Sequence, residues 1–324
     1  MNSQDTKQKP DDYEILDSGD GAKLERFGEV VLVRPCAQAC WKPALPAAKW
    51  DAATASFDRK SGQGWRRREA IPASWEVVIG GLRFRLSGTD FGHLGIFPEQ
   101  RPHWRFVEAA IRLACRKNAA KPGVLNLFAY SGGATLAAAR AGAEVCHVDA
   151  SHGMVDWARK NAVLNGLGNV PIRWIVDDVT KFLKREQRRG RKYDAVILDP
   201  PTYGRGARGE VYKIERDLVG TMALCRALLS ESPLFVLIST HTPTCTPMVL
   251  ENMLHTSLPA EGSYRVDHGE MFWTGATGVL PVPCGSFACW RKEILDACAP
   301  PVGSRAGADR SGVRQISGGA LEYE

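Results

Sequence analysis

From residue 102 onward, short runs rich in apolar and β-branched residues alternate with segments of helical periodicity. The runs are VLNLF, VCHVDA, IRWIVDD and DAVILDPP, which begin at Val124, Val145, Ile172 and Asp194. Runs this short are typical of strands buried in a parallel sheet. The connecting segments, of about 10–15 residues, have the length of the helical crossovers that parallel strands require. The pattern predicts a doubly wound α/β domain, which we place at residues 102–298.

The region before this domain has a different pattern and is predicted to be a small β-rich domain over residues 13–101. Its short runs are VVLVRP from Val30, WEVVIGGLRFRL from Trp75 and HLGIFPEQR from His93. Gly80-Gly81 in the second run is a signal for a two-residue hairpin turn. Residues 1–12 are polar, and residues 299–324 are rich in Gly, Ser and Arg without an apolar period. Both ends are therefore predicted to be flexible tails.

Composition argues against a membrane or secreted protein. The longest stretch without a charge, Met271–Trp290, is interrupted by glycines and prolines and does not suit a spanning helix. The first residues lack the apolar segment of a signal peptide. Nine cysteines without a CxxC pair indicate reduced thiols and a cytoplasmic protein, and they disfavour a metal site. The net charge of +6 permits a nucleic-acid partner without requiring one.

Acidic residues follow three successive predicted strands, as Asp149, Asp177-Asp178 and Asp199. Ligands of open α/β sheets bind outside the carboxyl ends of the strands, so these side chains are expected at one site. Asp149 comes 17 residues after Gly132, near the spacing at which an acidic side chain binds ribose hydroxyls. Each residue alone also suits a plain turn or a helix cap. Together they predict a site for a nucleoside-type cofactor.

Several motifs in this region match a known family. They are VLNLFAYSGGATLAAARAGAEVCHVDAS, ARKNAVLNGL, DDVTKFLKREQRRGRKYDAVILDPPTYGRG and VYKIERDL. The chain resembles the class I S-adenosylmethionine-dependent methyltransferases over Gly95 to Arg291. Among them it is most similar to bacterial large-subunit rRNA methyltransferases of the cytosine-C5 kind and their guanine-N7 relatives. The resemblance implies a Rossmann-like methyltransferase sheet, S-adenosyl-L-methionine as cofactor, and a base in ribosomal RNA as substrate.

The resemblance also implies roles for individual residues. Those expected to bind the cofactor are Tyr130, Ser131, Gly132, Gly133, Asp149, Ala150, Ser151, Asp177, Asp178, Val179 and Asp199. Those expected at the catalytic centre are Asp199, Pro200 and Lys213, with Cys245 as the alternative nucleophile. Within these sets, Asp149 would accept hydrogen bonds from the ribose hydroxyls and Asp178 from the adenine amine. Asp199 and the Pro200 carbonyl would line the pocket in which the target base meets the methyl group.

One departure from the family concerns the nucleophile. The cytosine-C5 enzymes attack the base with a cysteine after the fifth strand, but ISTHTPTCTP has Thr240 at the expected position. Cys245 lies five residues later, and His241 is a candidate base or a solvent-facing residue. We expect direct transfer to a nitrogen atom. Cytosine-C5 methylation through Cys245, a non-RNA acceptor and a cofactor-binding accessory protein without catalysis remain alternatives.

A cluster of basic residues supports an RNA partner. It occupies seven of twelve positions, namely Lys181, Lys184, Arg185, Arg188, Arg189, Arg191 and Lys192. Such clusters contact phosphates, although they also occur on solvated helix faces. The sequence therefore predicts an RNA partner, most simply ribosomal, and no membrane. It leaves the oligomeric state open, with a homodimer included.

Overall fold

The computed structural model describes residues 11–58, 64–117, 120–206, 209–259, 262–273, 275 and 279–298. The predicted flexible tails lie outside these residues, except for Asp11 and Asp12. These two residues are hydrogen-bonded to the hairpin that the Gly80-Gly81 turn closes. Asp12 accepts from the Val78 N–H at 2.7 Å, and Asp11 accepts from the Gly80 N–H at 2.8 Å.

The helices and strands are as follows. The strands are β1 (Tyr13–Gly19), β2 (Ala22–Phe27), β3 (Val30–Pro35), β4 (Ala55–Asp58), β5 (Gly64–Arg66), β6 (Trp75–Ile79), β7 (Leu82–Leu86), β8 (Gly123–Leu127), β9 (Glu144–Asp149), β10 (Ile172–Val176), β11 (Ala195–Leu198), β12 (Tyr203–Arg205), β13 (Val211–Lys213), β14 (Phe235–Thr240), β15 (Tyr264–Trp273) and β16 (Val282–Lys292). The α-helices are α1 (Ala47–Asp51), α2 (Arg101–Lys117), α3 (Gly133–Arg140), α4 (His152–Leu164), α5 (Val179–Arg188), α6 (Ile214–Ala227) and α7 (Pro247–Ser257). Short 3₁₀ helices span Arg68–Ala70, Pro98–Gln100 and Glu293–Cys298.

A seven-stranded sheet forms the larger part of the molecule, in the order β10-β9-β8-β11-β14-β16-β15. The first five strands are parallel, and β16 is antiparallel to both of its neighbours. The predicted α/β sheet is thus confirmed. From the centre, the chain proceeds outward from β8 in one direction and from β11 in the other. Between these strands lies the crevice at which open α/β sheets bind their ligands.

Both faces of the sheet are covered by helices. Along β11, Ala195 and Ile197 belong to one core cluster, whereas Val196 and Leu198 belong to the other. Helices α2 and α3 pack in the first cluster, and α5, α6 and α7 pack in the second. This two-sided burial explains why the strand sequences are continuous apolar runs. In the described part of the chain, no helix is long and apolar enough to cross a membrane.

The N-terminal region is β-rich, as predicted. Strands β1 to β5 form one sheet, and β6 and β7 form a hairpin. Gly80 and Gly81 have φ values of +61° and +72°, which a two-residue turn of this hairpin requires and which glycine adopts without strain. The run from His93 does not form a strand, because Pro98 lacks an N–H and starts a 3₁₀ helix instead. This region shares the first core cluster with α2 and α3, and the domain boundary at residue 101 stays a prediction.

Two asparagines, Asn161 of α4 and the C-cap residue Asn165 that follows this helix, attach the hairpin to the large sheet. Asn161 is fully buried; its Oδ1 accepts from the Arg85 N–H and its Nδ2 donates to the Ser131 carbonyl, both at 3.0 Å. One turn later, Asn165 accepts from the Arg83 N–H at 2.9 Å and donates to the Arg83 carbonyl at 2.8 Å. Asn161 therefore connects β7 to the loop that follows β8.

We expect Asn161→Ala to lower the free energy of unfolding by about 2–3 kcal/mol, because it leaves a backbone donor and a buried carbonyl without partners. Urea unfolding of the purified variant measures this loss. Asn165→Ala is the matched control; its bonds are more exposed, so we expect about 1 kcal/mol. A loss in Asn161→Ala no larger than in the control would argue against this connection.

Candidate functional site

A cavity of about 320 Å³ lies at the carboxyl ends of β8, β9, β11 and β14 and at the start of α5. Its wall contains eight of the residues that the sequence analysis assigned to the site. They are Tyr130, Asp149, Ala150, Ser151, Asp178, Val179, Asp199 and Pro200. The wall does not contain Ser131, Gly132, Gly133, Asp177, Lys213 or Cys245. The structure thus brings together the acidic ends of three strands at one opening.

Asp149, the last residue of β9, is fixed by backbone donors. Its Oδ2 accepts from the Tyr130 N–H at 2.9 Å and its Oδ1 from the Ser151 N–H at 2.8 Å. Burial raises the pKa of this carboxyl and the two N–H groups offset part of the rise, so the pKa stays above its usual value. Each carboxylate oxygen has a second lone pair available for a donor in the cavity. Asp149 is therefore oriented to accept further hydrogen bonds.

The loop after β8 is bent in a way that side chains seldom adopt. Phe128 and Tyr130 have φ values of +54° and +49°, in the left-handed region, and both line the cavity. Such a conformation costs of order 1–3 kcal/mol at a non-glycine residue and is concentrated at functional sites. The loop therefore maintains a strained turn that gives the cavity two aromatic wall residues.

Gly132 and Gly133 were expected to bind the cofactor, and a side chain at either position would collide with a neighbouring helix. A Cβ on Gly132 would come within 3.0 Å of the Ala158 Cβ of α4. A Cβ on Gly133 would come within 2.4 Å of the Trp104 ring of α2. The glycines thus permit close helix packing below the loop. Their cofactor contacts, like that of Ser131, stay predictions.

The two acidic residues after β10 point in different directions. Asp178 is the N-cap of α5, accepting from the Lys181 N–H at 2.9 Å, and also lines the cavity. Asp177 accepts from the Asp178 N–H and pairs with Arg185, outside the cavity wall. Asp178 therefore combines the helix-cap and site roles that the sequence left as alternatives. The ion pair with Arg185 explains why Asp177 is turned away.

Asp199, directly after β11, has one satisfied and one unsatisfied oxygen. Oδ2 accepts from Gln100 Nε2 at 3.1 Å, and the same nitrogen lies 3.0 Å from Ser239 Oγ. Oδ1 is buried and has no hydrogen-bond partner within the described ranges. Burial raises the pKa of this carboxyl above its usual value, although the nearby His241 and Ser239 act in the opposite direction. A buried acceptor of this kind requires a donor, and the cavity is where a ligand would supply it.

Hydroxyl groups fix the loop that carries Pro200. Thr240 Oγ1 donates to the Pro200 carbonyl at 3.3 Å and lies 3.1 Å from Thr242 Oγ1. Thr242 Oγ1 in turn lies 2.7 Å from Thr202 Oγ1. Thr240 is fully buried. The residue at the position expected for a cysteine therefore supports the loop after β11.

Cys245, the alternative nucleophile, packs in the core. It is 7% exposed, belongs to the second core cluster with Leu250 and Leu254, and lies outside the cavity wall. Burial raises the pKa of its thiol, which disfavours the reactive thiolate. Its predicted role as a nucleophile has no geometric support in this arrangement.

His241 is held between two carboxylates at the edge of the cavity. Its Nδ1 lies 2.7 Å from the Cys284 carbonyl, which can only accept, so Nδ1 carries the hydrogen. Nε2 lies 3.7 Å from Glu99 Oε1 and has no hydrogen-bond partner among the residues described. Burial would lower the pKa of the imidazole, but Glu99 and Asp199 raise it above its usual value overall. Nε2 is thus available to exchange a proton.

Other wall residues come from segments for which the sequence predicts no site role. Phe97 and His93 precede α2, within the HLGIFPEQR run, and Gln100 of the same run contacts Asp199. Tyr212 belongs to the small hairpin of β12 and β13, which has no hydrophobic period long enough to predict. Lys213 ends this hairpin with an exposed side chain, while its N–H donates to Asp217. A role for Lys213 stays a prediction.

Several side chains of the basic cluster Lys181–Lys192 are paired with carboxylates or lie far from the cavity. Three of its members pair with acidic residues, in the pairs Lys181–Glu210, Arg185–Asp177 and Arg189–Glu186. Arg191 and Lys192 line a groove beside the first residues of β8, β9 and β10, at the edge of the sheet opposite the cavity. The cluster is therefore not one surface facing the site.

Comparisons with known proteins agree with this geometry. The model of a family described as S-adenosylmethionine-dependent methyltransferase matches residues 34–247. The chain is 34% identical over 176 residues to a ribosomal RNA large subunit methyltransferase K/L of Pseudomonas paraeruginosa, covering 53% of this chain and 23% of that protein. It is likewise 34% identical over 190 residues to the protein of the same name from Ectopseudomonas mendocina, covering 58% of this chain and 25% of that one. The chain thus spans about a quarter of the length of these relatives.

A solved structure covers much more of the chain. It is a SAM-dependent methyltransferase from Agrobacterium tumefaciens, 38% identical in sequence, with a TM-score of 0.80. The similarity covers 86% of this chain and 90% of that one. A coverage of 86% is more than the large sheet and its helices comprise, so the similarity extends into the N-terminal region.

Proposed function

The chain belongs to the S-adenosylmethionine-dependent methyltransferase family, and we propose that it transfers a methyl group to a nitrogen atom of a base in ribosomal RNA. The observation that carries the proposal is the cavity in which Asp149, Asp178 and Asp199 converge at the carboxyl edge of the sheet. The names of the rRNA methyltransferase relatives support RNA as the acceptor.

The polar groups of the cavity suit S-adenosylmethionine. Ribose hydroxyls and the adenine amine are donors, and the carboxylates of Asp149 and Asp178 are acceptors with lone pairs to spare. The unpartnered Oδ1 of Asp199 is a further acceptor. Asp149 would bind the ribose, Asp178 the adenine amine, and Tyr130 would pack against the rest. When bound, the cofactor would supply an electrophilic sulfonium methyl group, whose carbon a lone pair can attack in line with the thioether as leaving group.

The protein's own part in the transfer is to orient the acceptor and to remove a proton. Asp199 Oδ1 and the Pro200 carbonyl can accept hydrogen bonds from an N–H group of the base that receives the methyl group. Thr240 keeps the Pro200 carbonyl in position. The nitrogen lone pair forms the new bond to carbon as the carbon–sulfur bond breaks, and the nitrogen then loses a proton. His241 Nε2, which lies beside the cavity and 3.7 Å from Glu99 Oε1, can accept this proton when the imidazole is neutral.

Transfer to nitrogen requires no protein nucleophile, so we expect Cys245→Ser to retain activity within a few-fold of the wild type. No covalent adduct should form with RNA that contains 5-fluorocytosine. Cys225→Ser, at another cysteine of the same core cluster, controls for the cost of a buried hydroxyl. Labelled methyl transfer and gel shift measure the two results. A selective loss of about 10³-fold in Cys245→Ser would restore the cysteine mechanism and cytosine-C5 methylation.

The function itself is tested with labelled S-adenosylmethionine and purified acceptors. Incorporation into ribosomal RNA, followed by mass spectrometry of its nucleosides, identifies the methylated atom. Binding to the RNA should weaken steeply as salt increases, because phosphate contacts release counterions. Incorporation only into protein or a small molecule would replace RNA as the acceptor. Cofactor binding without any incorporation would indicate an accessory protein.

A further inference from the structure

A second cavity, of about 250 Å³, lies next to the first. The two share His93, Phe97 and His241 as wall residues. The far wall of the second cavity comes from the N-terminal sheet, through Arg34 and Phe57 among others, and from β15. A ligand in the second cavity would therefore lie beside whatever occupies the first.

Aromatic rings form much of this second wall. Phe57 of β4, Phe97 before α2 and Trp273 at the end of β15 come from three separate parts of the chain. Phe97 is also in ring contact with His241, with centroids 5.3 Å apart. Aromatic side chains stack on nucleobases of any sequence because every base has a π face. The chemistry of the wall thus suits a flat heteroaromatic ring.

The buried charges around the second cavity are balanced. Glu25 pairs with Arg34 at 2.5 Å and with Lys23 at 3.2 Å, and all three side chains are at most 12% exposed. The Lys23 ammonium also lies 3.5 Å from the Trp273 ring centroid. Glu99 accepts from Trp273 Nε1 at 2.8 Å. Lys23 and Arg34 thus face Glu25 and Glu99, while His241 lies between Glu99 and Asp199. An added phosphate or carboxylate would therefore find little excess positive charge.

We propose that the second cavity holds the acceptor base, as an uncharged nucleobase turned out of the RNA, and that the N-terminal sheet forms half of this site. The proposal rests on the proposed function and adds to it the place where the acceptor binds. A base in the second cavity would extend past Phe97 and His241 into the first, whose wall contains Pro200 and Asp199 with its unpartnered Oδ1. The N-terminal sheet then selects a neutral flat ring, while the phosphates stay outside.

Phe57→Leu tests this placement because it removes a stacking face and keeps an apolar side chain. We expect the KM for ribosomal RNA to increase about tenfold, with the dissociation constant of S-adenosylhomocysteine unchanged. Phe27→Leu is the matched control, since Phe27 is a buried ring of the N-terminal region outside both cavities. Equal KM values in the two variants would overturn the proposal, whatever else is observed.

A second measurement does not depend on methyl transfer to RNA. With the first cavity saturated by S-adenosylhomocysteine, saturation-transfer NMR is recorded with adenosine, guanosine, cytidine and uridine at millimolar concentration. We expect at least one nucleoside to give a signal that Phe57→Leu loses and Phe27→Leu retains. If the wild type methylates no ribosomal RNA but this pattern is found, the proposed function fails and the nucleobase site stands. If RNA is not methylated and no nucleoside gives the pattern, both fail.

Discussion

Replacing Asp199 with alanine is expected to lower kcat by about 10²–10³-fold, the largest loss we predict for a single side chain. The side chain is anchored through one oxygen by Gln100, and its other oxygen is a buried acceptor without a partner at the cavity wall. A buried acceptor without a partner lowers the stability of the protein unless a ligand donates a hydrogen bond to it. In the proposed reaction, the N–H group of the base that receives the methyl group is this donor. Single-turnover methylation measures the chemical step apart from product release.

Asp194→Ala is the matched control for Asp199→Ala. Asp194 immediately precedes β11, at the opposite end from Asp199, where it accepts from the Gly123 N–H at 2.9 Å and from Ser230 Oγ at 2.8 Å. Its loss should reduce stability without changing kcat. A kcat of Asp199→Ala within threefold of the wild type would remove Asp199 from the transfer step.

Asp149→Ala is expected to weaken the binding of S-adenosylhomocysteine by about 1.5–3 kcal/mol, or about 10- to 150-fold. The substitution removes the acceptor proposed for the ribose hydroxyls and releases the Tyr130 and Ser151 N–H groups that the carboxylate fixes. Calorimetry measures the change directly. Asp156→Ala, on the exposed side of α4, is the control and should bind normally. Unchanged affinity in Asp149→Ala would exclude Asp149 from the cofactor site.

The raised pKa of Asp149 also predicts how the affinity for S-adenosylhomocysteine changes with pH. Burial raises the pKa of Asp149 above its usual value, so its carboxylate is protonated at a higher pH than an ordinary aspartate. A protonated carboxyl accepts fewer hydrogen bonds from the ribose. Affinity for S-adenosylhomocysteine should therefore be full above this raised pKa and decline as the pH falls through it. The decline should be smaller in Asp149→Ala, where only Asp199, whose pKa is also raised, still contributes.

The large sheet was predictable because burial on both faces requires strands whose sequences are almost entirely apolar. Strands such as β11 and β14 are buried throughout, which gives uninterrupted apolar runs followed directly by the site residues. Since parallel strands bring their carboxyl ends to one edge, the positions of Asp149 and Asp199 in the sequence implied their proximity. The acidic ends of the strands could be found without any tertiary information.

Other parts of the site depend on contacts that one strand or helix does not encode. Whether Asp177 or Asp178 faces the cavity is decided by the helix cap and the pair with Arg185. The packing role of Gly133 depends on Trp104, which comes from a different helix. The second cavity requires the N-terminal sheet to lie against the loop before α2. The hydrophobic periodicity of a segment indicates which of its faces is buried. It does not indicate which other segment packs against that face.

The hydrogen bonds of Thr240 to the Pro200 carbonyl and to Thr242 mean that this position cannot both support the Pro200 loop and supply a nucleophile. A side chain that holds the Pro200 carbonyl is turned into the protein interior, whereas a nucleophile must point at the base. Restoring a thiol there would also leave Thr242 and the carbonyl with a weaker donor. A cysteine nucleophile at position 240 would therefore require a remodelled turn between β14 and α7, because the same residue could no longer support the Pro200 loop.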